Sequence, residues 1–220
     1  MNIVFDLDGT LVDSAPDIAV AANKMLASEG LEPIDLPTII SFIGNGLPKL
    51  VERVMRARGI GAQHFERLYD QMKAFYNACP ADESAPMPGV TELLETLKAD
   101  GHKLGICTNK PQEPARLMLA LLGLESYFNT VVGGDALPEK KPHPAPLNLA
   151  FEQLGVGPRL YVGDSEVDAE VALAAGVRFA IYTHGYRKKA IEALPHSYRF
   201  DHFRDLGRII DTLPEVASTV

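Results

Sequence analysis

Near its start the chain reads MNIVFDLDGTLVDSAP, an apolar run that ends in two aspartates, Asp6 and Asp8, followed by Gly9 and Thr10. In an extended chain, residues i and i+2 face the same side, about 7 Å apart, so both carboxylates can face one pocket. Like charges beside a core are costly unless a cation pairs with them. Further polar groups follow later apolar runs: Thr108-Asn109-Lys110, and Gly163-Asp164-Ser165-Glu166-Val167-Asp168. A loop, Glu139-Lys140-Lys141-Pro142-His143-Pro144, carries two lysines between residues that favour extended backbone. If the fold gathers these stretches, four aspartates (Asp6, Asp8, Asp164, Asp168) meet one or two lysines and several hydroxyl and amide donors. Such carboxylates call for a hard divalent cation with oxygen ligands. Mg²⁺ fits best, because it binds through few carboxylates and keeps waters or phosphate oxygens. The lysine and the Thr/Asn donors suit a phosphoryl group, which leaves one aspartate as a nucleophile toward phosphorus.

The elements that must gather them are legible as a rhythm. Short apolar runs at 3–5, 104–107, 130–132, 160–162 and 179–182 read as buried strands. Between them, Val90, Leu93, Leu94 and Leu97 recur at helical spacing, and similar patterns cover 115–122, 145–154 and 167–175. Gly101, Gly123, Gly155 and Gly176 follow these four helices and mark their ends. The expected fold class is α/β: a doubly wound, Rossmann-like parallel sheet with helices on both faces. Residues 15–85 break the rhythm with helical patterns and no convincing strand, including 47–58 and 65–79. A helix start is expected at Ser14, with Asp17 three residues on and Pro16 in the first turn. The expected organisation is a catalytic core of 1–14 and 86–220 with a helical cap, 15–85, inserted after the first strand. That insertion lies at a strand's carboxyl end, where such sheets bind ligands.

The 220 residues carry a formal net charge of −8 with 46 % hydrophobic residues, enough for a real core. The acidic balance argues against nucleic acid. With neither a signal-like start nor a membrane-length apolar run, the expectation is a cytoplasmic protein that engages no membrane. Cys79 and Cys107 lack metal-type spacing and are expected as reduced thiols. Monomer and homodimer both remain open.

The Asp6-Leu7-Asp8-Gly9-Thr10 stretch, Thr108 at a strand end, the lysine before Pro142 and the Gly163-Asp164…Asp168 stretch resemble, in order and context, the motifs of the haloacid dehalogenase superfamily of phosphohydrolases. The resemblance covers nearly the whole chain, the cap included. It implies Asp6 as nucleophile through an aspartyl-phosphate, and Asp8 as general acid and then base. It implies Thr108, with Asn109, as phosphate-binding, and Lys141 as the cation neutralising nucleophile and phosphoryl charge; Lys140 is the alternative. Asp6, the backbone carbonyl of Asp8 and Asp164 would hold Mg²⁺, with Asp168 supporting that shell or Lys141, and Thr10 also supporting the site. Within the superfamily, the stretches Phe42-Ile43-Gly44-Asn45-Gly46, Cys107-Thr108-Asn109-Lys110-Pro111 and Gly133-Gly134-Asp135 resemble bacterial phosphoglycolate phosphatases. This implies 2-phosphoglycolate as the small phosphorylated substrate.

Blander readings stand beside these. Asp164 and Asp168 also suit a helix start, where acids complement the dipole, and Gly44-Asn45-Gly46, a candidate for substrate contact through a turn of backbone donors, suits a helix–helix turn equally. Ser14 reads as a cap, and Lys49 as a candidate cation for a substrate carboxylate. The alternatives in function are a phosphatase or pyrophosphatase for another small phosphate compound, a sugar phosphomutase, and, outside enzymes, a phospho-accepting binding module. A dehalogenase has no use for Asp8 and the acidic cluster, and a phosphonatase needs a Schiff-base lysine in the cap that the sequence does not identify.

Overall fold

The first strand, β1 (Asn2–Phe5), is buried along its whole length, as a central parallel strand must be. A computed structural model describes the chain over residues 1–78 and 81–213. After β1 comes the short β2 (Val12–Asp13), and then four helices: α1 (Ala15–Ser28), α2 (Leu36–Phe42), α3 (Leu47–Ala57) and α4 (Phe65–Ala78). The chain returns through β3 (Ala85–Pro86), which pairs antiparallel with β2, Val12 opposite Pro86 and Asp13 opposite Ala85. From there helix and strand alternate: α5 (Val90–Ala99), β4 (Lys103–Cys107), α6 (Gln112–Leu121), β5 (Thr130–Val132), α7 (Ala145–Leu154), β6 (Arg159–Gly163), α8 (Glu166–Ala175), β7 (Arg178–Tyr182), β8 (Tyr198–Phe200) and α9 (Phe203–Asp211).

Six strands form one parallel sheet in the order β5-β4-β1-β6-β7-β8. The chain builds outward from β1 to β5, then crosses back and builds outward from β6 to β8. Its two faces bury different cores, because strand side chains alternate. Ile3, Phe5, Leu104, Ile106, Leu160 and Val162 pack with α5, α6 and α9. Val4, Cys107, Tyr161, Phe179 and Ile181 pack with α7 and α8. This is the doubly wound sheet that the sequence rhythm implies. The four glycines read as helix ends all take positive φ.

Several elements differ from expectation. The pattern read as a helix over 65–79 is helical over Phe65–Ala78; Cys79 and Pro80 lie outside the described residues. Helix α2 was not expected, although Asp35 caps it by accepting from Thr38 N–H at 2.8 Å; seven residues are too few for a clear period. Strand β8 has three residues, and Gly207 interrupts the pattern of α9, whose Phe203, Leu206 and Ile210 are nevertheless buried. Ser14 does start α1 as expected, but its side chain caps nothing.

Asp17 does not serve the helix start either. It is buried, and its carboxylate accepts from Glu83 N–H (3.0 Å), Ser84 N–H (2.8 Å) and the Ser84 hydroxyl. One aspartate thus ties the chain leaving the four-helix segment to the chain entering it, beside the β2–β3 ribbon. Asp17→Ala would strand those donors in a buried place, at a cost of about 3 kcal/mol. A thermal melt should show Tm falling by roughly 6–12 °C for a chain of this size; a shift under about 1 °C would mean the tie carries no weight.

Candidate active site

Where β1 ends, Asp6 N–H still donates to Val162 O (2.8 Å), so the Asp6 side chain emerges at the carboxyl edge of the sheet. The chain then turns tightly, with Leu11 N–H and Val12 N–H both donating to Leu7 O at 3.0 Å. Gly9 makes that turn at φ +85°, and a Cβ there would lie 2.8 Å from both Asp164 Oδ2 and the Tyr186 ring. The turn therefore needs glycine twice, for its conformation and for the closeness of Asp164. Thr108 and Asn109 follow β4, Lys141 precedes α7, and Asp164 follows β6, so all reach the same edge.

The centre of the site is a buried lysine. Lys141, 5 % exposed, donates to Asp168 Oδ1 (2.7 Å) and to the Tyr161 hydroxyl (2.9 Å), and its Nζ lies 2.9 Å from Asp6 Oδ1. Burial alone would lower its pKa, but the charges of Asp168 and Asp6 outweigh burial and raise it, so Lys141 stays protonated. Asp168 is the best-served carboxylate of the site. Oδ1 accepts from Lys141 and from the Tyr161 hydroxyl (2.7 Å), and Oδ2 from Asp164 N–H (3.3 Å), Ser165 N–H (3.1 Å) and the Ser165 hydroxyl (2.6 Å). Burial pushes against its ionisation, yet Lys141 and these donors hold it below the usual carboxylate range. Both readings of Asp168 hold together: it closes a capping box with Ser165 at the start of α8 and at the same time anchors Lys141.

Asp6 and Asp164 are in the opposite condition. Burial first, then the charge of Asp168, push Asp6 up to about 7, with Lys141 only partly offsetting them. Asp164 is raised well above the usual range by burial and by the charges of Asp168 and Asp6. Its two oxygens accept from the Thr10 hydroxyl (2.8 Å) and from Tyr186 N–H (2.6 Å). Asp6 Oδ1 is buried with the Lys141 ammonium 2.9 Å away, and no other protein donor reaches it.

Carboxylate oxygens of Asp6, Asp164 and Asp168 lie within 4.8 Å of one another. Fully ionised, these three carboxylates would exceed the one lysine by two charges, which a divalent cation would match. Asp168 is saturated with donors, whereas Asp6 has only the Lys141 ammonium beside it. The residues that could hold a cation by their side chains are therefore Asp6 and Asp164, both hard oxygen donors.

Asp8 departs from the expected cluster of four. Its carboxylate accepts from the Ser14 hydroxyl (2.6 Å) and from Lys110 Nζ (3.1 Å), apart from the other three. Ser14, read as a cap, is instead a partner of Asp8. Thr108 is buried at the edge with its hydroxyl accepting from Lys110 N–H (3.2 Å). Asn109 donates to Lys141 O (3.0 Å), while its Oδ1 is buried without a partner. The cavity over these residues is roofed in part by Gly44, Asn45, Gly46 and Tyr76 from the helical segment. Lys49 does not join them. It is exposed, pairs with Glu52 at 2.7 Å and lies outside the cavity lining, so it is not placed to meet a substrate carboxylate. Sequence reasoning passed over Lys110, Tyr76 and Tyr161. Lys110 stood in the strand-end stretch, but the two tyrosines carried no local signal. Cys107 is a free, buried thiol pushed up to about 12 by burial and is not a nucleophile here; Cys79 lies outside the described residues.

The raised pKa of Asp6 sets a sign for stability. Without metal the folded protein keeps this proton up to about pH 7, whereas the unfolded chain loses it in the ordinary carboxylate range. That contribution to stability is present at low pH and is lost as pH rises through about 7. A cation must displace the proton below pH 7 but not above it. Saturating Mg²⁺ should therefore raise Tm more at pH 8 than at pH 6; equal shifts at both would contradict the coupling.

A family model described as haloacid dehalogenase-like hydrolase matches residues 3–182. The chain is 47 % identical over 214 residues to a phosphoglycolate phosphatase of Cereibacter sphaeroides, covering 96 % of this chain and 98 % of that protein. It is 39 % identical over 219 residues to a phosphoglycolate phosphatase of Neisseria gonorrhoeae, covering 97 % and 90 %. Among solved structures, a crystal structure described as a predicted phosphoglycolate phosphatase from Haemophilus somnus superposes with a TM-score of 0.89 at 34 % identity, covering 94 % of this chain and 96 % of that one. With its parallel sheet and its strand-end aspartates and lysine, the chain belongs to the haloacid dehalogenase-like hydrolase family.

Proposed function

We propose that this protein is a Mg²⁺-dependent phosphatase that converts 2-phosphoglycolate to glycolate and phosphate through an aspartyl-phosphate on Asp6. The observation that carries the reading is the state of Asp6: buried at the sheet's carboxyl edge, with the Lys141 ammonium 2.9 Å from Oδ1 and no other donor on that oxygen. The names of relatives at 47 % and 39 % identity support the substrate.

Bound Mg²⁺, held by Asp6, Asp164 and the backbone carbonyl of Asp8, would supply positive charge to the phosphoryl oxygens and keep Asp6 ionised. The chain's own groups do the rest. An Asp6 carboxylate oxygen attacks phosphorus and the bond from phosphorus to the alcohol oxygen breaks. Asp8 acts as the general acid that gives a proton to the departing alkoxide. The Asp8 carboxylate then takes a proton from water as that water attacks phosphorus, releasing phosphate and restoring Asp6. Lys141 and the donors of Thr108 and Asn109 stabilise the phosphoryl oxygens throughout. Residues 15–85 act in this reading as a cap over the core of 1–14 and 86–220, with Gly44-Asn45-Gly46 facing the leaving group. The reading includes action on a small phosphorylated molecule in the cytoplasm, a setting that the free Cys107 suits. No described helix is long and apolar enough to cross a membrane.

Two substitutions separate the roles. Asp6→Asn should abolish steady-state phosphate release. Asp8→Asn should leave inorganic phosphate inhibition in place and lower kcat by about 10²–10⁴. Near-normal turnover in Asp6→Asn would remove Asp6 as nucleophile, and near-normal turnover in Asp8→Asn would remove Asp8 as acid and base.

A further inference from the structure

The cavity holds four lysines among the described residues: Lys73, Lys110, Lys141 and Lys188. Lys73 and Lys188 are exposed, and Lys141 is committed to Asp6 and Asp168. Lys110 is different. It is 7 % exposed, and its ammonium bridges two parts of the chain. One contact is Asp8 Oδ1, at the sheet edge. The other is the hydroxyl of Tyr76, on α4 of the helical segment, with the ammonium 4.6 Å from the centre of the Tyr76 ring. Burial would lower the Lys110 pKa; the charge of Asp8 and the bond to Tyr76 outweigh it, so the group remains a cation. An ammonium has three donors, and these two acceptors leave one for a ligand.

We infer that Lys110 is the residue that recognises the substrate's carboxylate, taking over the role that the sequence offered to Lys49. The inference rests on the phosphoglycolate reading above and follows from the shape of that substrate. Its leaving oxygen is bonded to a methylene that bears the carboxylate, so the carboxylate sits two bonds from the oxygen Asp8 must protonate. Any pose that brings the leaving oxygen to Asp8 brings the carboxylate beside Asp8 as well. The buried cation beside Asp8 is Lys110. Removed from water, its attraction for an anion is stronger than that of an exposed lysine, and the Tyr76 hydroxyl and ring hold it in place from the helical segment. A phosphate ester without an anion at this position has nothing to offer Lys110, so the residue discriminates among substrates and not merely between presence and absence of phosphate.

The test compares kcat/KM for 2-phosphoglycolate with that for ethyl phosphate, which has the same carbon skeleton at the leaving oxygen and lacks the carboxylate. In Lys110→Met the ratio of the two should fall by about 10–100-fold, the range for losing a hydrogen bond to a charged group. Lys110→Gln should show the same selective loss and serves if the methionine variant does not fold. Lys110→Arg, which keeps the cation, should retain most of the ratio. Inhibition by inorganic phosphate reports that the phosphoryl pocket of each variant is intact. If both substrates fall equally in Lys110→Met and Lys110→Gln, Lys110 serves Asp8 alone and the inference is overturned. A wild-type enzyme that shows no preference for phosphoglycolate over ethyl phosphate overturns the substrate reading itself, and the inference with it. A preference that survives in both variants overturns only the assignment to Lys110.

Discussion

The ion pair between Lys141 and Asp168 is the interaction on which the rest of this site depends. Both groups are almost wholly removed from water, at 2.7 Å from one another. Such a pair is tolerable only when its remaining donors and acceptors are also satisfied. Asp168 meets that condition with four donors besides Lys141: the Tyr161 hydroxyl from β6, and Asp164 N–H, Ser165 N–H and the Ser165 hydroxyl from the loop that leads into α8. The fold fixes the lysine, and the lysine in turn makes it possible to bury a second carboxylate, Asp6, at the end of the central strand. What Lys141 cannot do is neutralise Asp164 as well. The remaining negative charge is the electrostatic reason for the site to take a cation.

Two lysine–aspartate pairs therefore serve different ends within one cavity. Asp6 shares Lys141 with a better-served competitor and has no other donor on that oxygen. Asp8, two residues on, accepts from Ser14 and from Lys110, which it shares with the Tyr76 hydroxyl of the helical segment. Carboxylates two residues apart on one strand end have thus been given unlike surroundings, which is how a site assigns unlike chemical roles to one residue type. Tyr186 extends the arrangement to the linker. Its backbone N–H holds Asp164, while its hydroxyl donates to Asp13 (2.6 Å) and accepts from Ala15 N–H (3.0 Å), so the entry to the helical segment is tied to the acidic cluster.

Much of this was legible in the sequence because it rests on period and order. The alternation of buried strands with helices ending in glycine implied the parallel sheet, and a parallel sheet places the residues that follow its strands along one edge. Asp6, Thr108 and Asp164 could be brought together on that basis, with a lysine from the loop before the helix at 145; the choice of Lys141 over Lys140 came from the family resemblance. Other features depend on contacts between distant segments, which carry no local pattern. Lys49 and Lys110 look alike as residues, and that Lys110 lines the cavity while Lys49 does not is decided by how α3 and α4 pack over the sheet. Ser14 and Asp17 fit the spacing of a helix start, yet Asp8 and the returning chain at Glu83 and Ser84 claim their side chains. Tyr76 and Tyr161 were invisible for the same reason, being defined by the lysines they touch. The short β8 and α2 lacked the length that periodicity needs.

The central claim is that Asp6 becomes covalently phosphorylated, and trapping that species tests it most directly. Asp8→Asn incubated with Mg²⁺ and p-nitrophenyl phosphate, whose leaving group needs little protonation, should accumulate the acyl phosphate. Borohydride reduction after quenching should then convert residue 6 to homoserine, read by mass spectrometry of the N-terminal peptide. The account predicts homoserine at position 6, dependent on substrate and absent from a variant that also carries Asp6→Asn. Release of p-nitrophenol with no homoserine at that position, or with homoserine at another carboxylate, would contradict it.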